Sequence, residues 1–195
     1  MHGLVNKALE NFLKERHGLT VWQRIVSRAG LPVASFEPLA TYDLKWTEAV
    51  ILAAVQELDR PRDTILEDMG TALVSHHSGE RLRRLLRFGG VSFRDFLYSL
   101  EELPARARLA LPDLHLPDIH LEELAPGQFR LRANVPFAGA GCVLSGLLRA
   151  LADDYGALVL LDISHSATGD EVIAIDLLDE AHAEGRRFDL AAAEI

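Results

Sequence analysis

The chain has 195 residues, 49% of them hydrophobic and 25% charged, with 20 Lys and Arg against 29 Asp and Glu, a formal net charge of -9. That is the length of one globular domain, apolar enough to bury roughly 70% of the surface its unfolded chain exposes, which excludes intrinsic disorder. The acidic balance excludes a generic nucleic-acid binder, and the single cysteine, Cys142, excludes an intramolecular disulfide or an all-cysteine zinc site and fits a reducing compartment. Lys7, Glu10, Lys14, Glu15 and Arg16 break up any signal-peptide core, and no run approaches the roughly 18 apolar residues needed to span a bilayer. The expectation is a soluble cytoplasmic protein that partners neither nucleic acid nor membrane.

The first half predicts helices. Leu4, Val5, Ala8, Leu9, Phe12 and Leu13 share one helical face, and Gly18 supplies a stop. Thr20 and Gln23 have capping-box spacing ahead of Val21, Trp22, Ile25 and Val26, in a helix that ends near Gly30. Asp43 is placed to cap a third helix through Val50, Ala54 and Leu58, and Asp63 a fourth through Ile65, Leu66, Met69, Leu73 and Val74. A shorter helix holds Leu82, Leu85 and Leu86 and ends at Gly89-Gly90, after which Ser92 caps a segment with Phe93, Phe96, Leu97 and Leu100.

Beyond residue 110 the period changes. Prolines at 112, 117 and 126 predict an extended loop over LPDLHLPDIHLEELAPG. FRLRAN alternates apolar and polar residues as a half-buried strand does, VLSGLLRALADDYG is an amphipathic helix stopped by Gly156, and ALVLLDIS and EVIAIDLL are two strands joined by a turn containing Gly169. AHAEGRRFDLAAAEI reads as a polar, loose tail. The predicted organisation is one α+β domain over 1–195: a helical region over 1–110, a strand, helix and hairpin region over 111–182 with a mostly antiparallel sheet, and a polar tail over 183–195.

Catalytic and metal-binding patterns are sparse. FAGAGCVLSG lacks the third glycine of a dinucleotide fingerprint and the Lys-Ser/Thr of a P-loop, and reads as a tight connection into a helix. His115 and His120 share a loop with Asp118, Glu122 and Glu123, but a spacing of five fits neither a zinc-finger pair nor one helical turn. His76-His77 reads as a surface pair, Ser164, His165, Ser166 and Asp170 lack a nucleophile elbow, and Cys142 reads as a small core residue. No acid, base and nucleophile converge, so no enzyme is expected. Seven arginines between 81 and 108 face three acids there, a local excess of +4 that reads either as a solvated helix face or as a surface for an acidic partner or anionic group.

Taken in order, the Met1-His2-Gly3 start, VWQRIVSRAGL, FLYSLEELPARARLALP and Pro117 beyond it resemble the haem nitric-oxide/oxygen-binding (H-NOX) sensor domain family, over nearly the whole chain. The resemblance implies a helical lobe packed on a four-stranded, mostly antiparallel sheet, haem held between them, and signalling to a histidine kinase or cyclase partner. It also implies an iron-ligating His in Leu-His-x-x-Val, where this chain has Pro104, which offers no donor atom. Ser99 with Glu102 has capping-box spacing that sets Pro104 in the first turn of a short helix. The family's propionate-binding Tyr-x-Ser-x-Arg is matched by Leu131, Ala133 and Val135, which replace two hydroxyls and a guanidinium by apolar groups.

Val5, Leu9, Leu73, His77 and Pro117 complete a candidate pocket lining with these residues. The leading expectation is a stand-alone H-NOX-like sensory or regulatory domain without canonical haem coordination, binding another hydrophobic small molecule or acting through protein interaction. The alternative is a haem-binding NO/O2 sensor with a substitute axial ligand, His77 or a loop histidine such as His115, and with Arg106, Arg108, Arg130 or Arg132 meeting the propionates.

Overall fold

The apolar stripe at the amino terminus forms α1 (Gly3–His17), which starts where His2 Nδ1 accepts a hydrogen bond from the Leu4 N–H and stops at Gly18. The computed structural model describes residues 1–76, 79–110, 112–113, 116–134, 137–165 and 171–186. Gly18 adopts φ 89°, open to glycine alone without strain, and starts α2 (Leu19–Ala29) immediately. Thr20 therefore lies inside the first turn, and the expected capping box is absent. Asp43 does cap α3 (Leu44–Leu58), accepting from the Lys45 N–H at 3.0 Å. In α4 (Arg62–Ser75) the N-cap is Pro61, so Asp63 falls in the first turn, where its charge complements the helix dipole instead of capping. Leu9, Leu13, Trp22, Ile25, Val50, Ile51, Ile65 and Leu66 from these helices, with Phe36 from the connection between α2 and α3, form an amino-terminal core.

One carboxylate is built into that core's rim. Glu10, fully buried, receives Lys14 at 2.5 Å, Lys7 at 2.9 Å, the Ser35 hydroxyl at 2.8 Å and the Phe36 N–H at 2.8 Å, which fastens the 31–42 connection to α1. Burial pushes its pKa up, but Lys14, the Phe36 amide, Lys7 and Ser35 together leave it below the usual carboxylate value.

α5 (Glu80–Arg87) is followed by α6 (Phe93–Ser99), where Ser92 and Asp95 form the expected cap as a full capping box. A 3-10 turn, Leu100–Glu102, continues directly into α7 (Leu103–Ala110). Pro104 does stand in the first turn of α7. Ser99 caps nothing, because the chain stays helical through it and its hydroxyl donates back to the Phe96 carbonyl at 2.7 Å.

The carboxy-terminal half is β1 (Ile119–Ala125), β2 (Gln128–Ala133), α8 (Ala140–Tyr155), β3 (Leu158–His165) and β4 (Glu171–Asp179), the strands ordered β1-β2-β4-β3 with every neighbouring pair antiparallel. β1 corrects the expected loop: Pro117 and Pro126 bracket a proline-free stretch that pairs with β2 at the sheet edge. Phe129, Leu131, Ala133, Ile173 and Ile175 point to one face, where Leu148, Leu151 and Ala152 of α8 meet them together with Phe93, Phe96, Leu97 and Leu100. α4 and α8 run through both cores and cross in backbone contact: a Cβ on Gly70 would collide with the Val143 carbonyl, and one on Gly146 with that of Glu67. The tail is fixed as far as it is described, Ala183 N–H donating to Gly156 O at 3.0 Å and Arg186 N–H to Asp154 O at 2.8 Å. No helix among the described residues is long and apolar enough to cross a membrane.

Candidate functional site

Four of the predicted pocket residues, Leu131, Ala133, Leu9 and Val5, divide between the two cores. Pro104 is buried, and its neighbour Leu103 packs against the carboxy-terminal core. Leu131 and Ala133 lie in that core on the inner face of β2, 0% and 2% exposed, paired with Ile173 and Glu171 of β4. Leu9 is buried in the amino-terminal core and half-buried Val5 packs against it. Leu73 is half-buried and lines a cavity of about 150 Å³ between α1 and α4, with Ala8, Asn11, Phe12, Glu15, Ala72, Gly79 and Leu82. Pro117 is half-buried just before β1. Val135, His77 and His115 lie outside the described residues.

The structure therefore brings Leu131 and Ala133 together, with Leu103, beside Pro104, packed against the same core; Val5, Leu9 and Leu73 gather on the helical side. A second cavity, about 160 Å³ beside Trp22, Gln23, Val26, Ser27 and Ala34, belongs to the α2 surface.

His2, His17, His76, His120 and His182 lie at helix ends or on the surface, and His165 ends β3. His2 caps α1; His17 packs edge-on against Phe12, its pKa lowered by burial first and by Arg16 and Arg60; His76 faces Glu15 at 3.7 Å. His120 is exposed on β1 opposite Arg132, 4.0 Å from Glu101, and His182 is exposed beyond β4. Among the described residues no three His, Cys, Asp or Glu side chains gather as a metal site. Cys142 is buried, and burial foremost, with Asp63, Glu171 and Glu67 around it, pushes its thiol up to about 11.

Two residues escaped the sequence reading. Glu171, 3% exposed, accepts the Gly139 N–H at 2.6 Å and also that of Gly141, so an internal carboxylate occupies the amino terminus of α8, where helix amides attract anions. Its signal was present: Glu171, Ile173 and Ile175 share the inward period of β4. Phe137 is buried among the amino-terminal helices although it follows β2, and nothing in its local pattern indicates that crossing.

The basic stretch largely dissolves into internal pairs. Arg83, 4% exposed, donates to Asp154 at 2.7 Å and to Glu80 at 3.0 Å; Arg87 stacks on the Tyr155 ring at 3.6 Å; Arg94 holds Glu180 and Glu123, both at 2.7 Å. Arg84 lies 3.7 Å from Glu80. The local excess is mostly structural, joining α5, α6 and α8 to the segment after β4.

A helical lobe over a four-stranded antiparallel sheet is the architecture of the H-NOX sensor domains, and the solved structures agree. The chain superimposes on an H-NOX protein from K. algicida, solved as unliganded Fe(II), with a TM-score of 0.80 at 15% identity, covering 94% of this chain and 100% of that one. For an H-NOX protein from S. oneidensis the TM-score is 0.78 at 17% identity, covering 96% and 100%. The haem-NO-binding family model matches residues 2–167, and the chain belongs to that family. Soluble guanylate cyclase gcy-31 of Caenorhabditis elegans is 22% identical over 177 residues, 89% of this chain but only 25% of that protein, so the chain spans about a quarter of its curated relative.

Proposed function

We propose that this chain is a non-enzymatic sensory or regulatory domain of the haem-NO-binding family, acting in the cytoplasm, in which canonical haem coordination has been lost and the output is protein interaction. The observation that carries this reading is Pro104, buried at the position where the family resemblance requires the iron-ligating imidazole. Haem asks a fold for an axial donor, partners for two propionates, and room.

The residues present fit none of the three. Pro104 has no donor atom. Leu131 and Ala133 offer no hydrogen bond to a carboxylate, and the amides at the start of α8 are already taken by Glu171, which pairs directly with Ala133. The described cavities, about 150 and 160 Å³, are roughly half the lower bound of the 300 to 1,000 Å³ typical of small-molecule sites.

The cleft is then closed by the chain's own apolar side chains, and a replacement ligand would be a small hydrophobic molecule, with the cavity beside Leu73, Ala8 and Phe12 as its candidate position. A cyclase or histidine kinase is the class of partner that the relationship to a guanylate cyclase favours. Titration of the purified protein with hemin tests the reading. The expected result is an absorption change that rises without saturating. A sharp Soret band complete at one equivalent, and lost in His77→Ala or in the double variant His115→Ala/His120→Ala, establishes the alternative, a haem-based gas sensor with a substitute axial ligand.

A further inference from the structure

The sheet ends on an unusual edge. β3 is an outer strand of eight residues whose main packing neighbours are β4 on one side and α8 on the inner face. Natural edge strands are blunted by Lys, Pro, bulges or a covering element, because an open ladder invites another strand. β3, Leu158-Val-Leu-Leu-Asp-Ile-Ser-His165, has neither Lys nor Pro, and its irregularity against β4 falls at the Leu158/Val159 end, leaving 159–165 in regular pairing.

Its apolar surface is incompletely buried on both faces. On the outer face Leu158 and Leu160, with Leu178 of β4 beside them, are 38%, 60% and 56% exposed. On the inner face Val159, Leu161 and Ile163 are only half-buried, whereas Ile173 and Ile175, one strand further in, are 1% and 0% exposed. A further strand beside β3 would extend the inner face over Val159, Leu161 and Ile163 and flank Leu158 and Leu160 on the outer face.

The charge around the leucines specifies what that strand carries. Asp176 pairs directly with Leu160 across the ladder, and Asp162 follows Leu160 on the same face. Among the described residues no cation stands within ion-pair distance of either carboxylate. The nearest basic residues of that face, Arg130 and Arg132, turn to Glu122 at 3.3 and 3.9 Å. We propose that the edge of β3, unpaired among the described residues, docks an extended segment of a partner protein in which apolar residues alternate with Lys or Arg, added as a fifth strand. Backbone hydrogen bonds supply the pairing, apolar side chains cover Val159, Leu161 and Ile163, and the basic residues meet Asp162 and Asp176.

A second copy of this chain fits poorly. β3 paired with itself about Leu161 sets Leu160 against Asp162 twice, and about Leu160 it sets Leu158 against Asp162 twice, with no base in either register. Residues 187–195 bring the single base Arg187 against two acids, Asp189 and Glu194, and no further base alternates with Phe188 and Leu190. The edge is present whether or not haem binds, so this proposal and the haem-free reading stand or fall separately.

The test uses a synthetic peptide of about ten residues alternating Val and Lys, long enough to span β3, with a Val-Glu peptide as control. The Val-Lys peptide is expected to bind the intact protein, more weakly as salt rises, and to slow amide exchange selectively within 158–165. Affinity should fall about tenfold or more in Leu160→Lys and in Asp162→Lys/Asp176→Lys, and stay unchanged in Leu39→Lys, an exposed position on the helical side. Equal binding of the Val-Glu peptide, or no protection of 158–165 in the unmodified protein, overturns the proposal. So does self-association that Leu160→Lys abolishes, which would make the edge a self-interface.

Discussion

Glu10 shows how a single buried charge is made tolerable. Its carboxylate is out of solvent, yet two ammonium groups, a hydroxyl and an amide converge on it, and its pKa is lowered despite burial. A folded-state pKa below the unfolded value means that the stabilisation is present above the ordinary carboxylate range and is lost as pH falls through the folded value. Glu10→Gln should therefore cost about 1 to 3 kcal/mol at neutral pH, read as a lower urea midpoint at unchanged m, and the gap to wild type should narrow below about pH 4. A gap that is constant with pH would mean that the network holds the 31–42 connection by shape alone. Glu171 is the corresponding residue of the carboxy-terminal half, a buried carboxylate that accepts two backbone amides at the start of α8.

At the scale of elements, the sequence was most legible where a local signal was sufficient. Asp43 and Ser92 cap the helices they were expected to cap, and Gly18, Gly30 and Gly156 end the helices they were expected to end. Thr20, Asp63 and Ser99 were misread because their spacing fits a cap while a neighbour, Gly18, Pro61 or the continuing 3-10 turn, decides the boundary first. β1 was hidden because its partner strand is what holds it extended, and prolines on both sides made the stretch resemble a loop.

The α4–α8 crossing was invisible for another reason: two glycines 76 residues apart carry no mutual signal until the backbones touch. Gly146→Ala should separate these helices at a cost of about 1 to 3 kcal/mol, lowering the Tm by several degrees in calorimetry. An unchanged Tm would show that the crossing yields without strain.

For the whole molecule, the family resemblance predicted the architecture, and the family model and solved relatives bear it out. The site was less legible. The residues proposed to stand in place of the family's haem contacts, at 104, 131 and 133, were plain in the sequence, but their consequence depends on distant packing: how α7, β2 and β4 close on one another, and how Glu171 reaches the start of α8. A family fold kept around an altered centre is the central claim, and its direct measurement is the mass of the intact native protein isolated from cells grown with abundant haem precursor. The account predicts the 21.5 kDa polypeptide alone, with no Soret absorption. One haem retained per chain, with a matching Soret band, would contradict it.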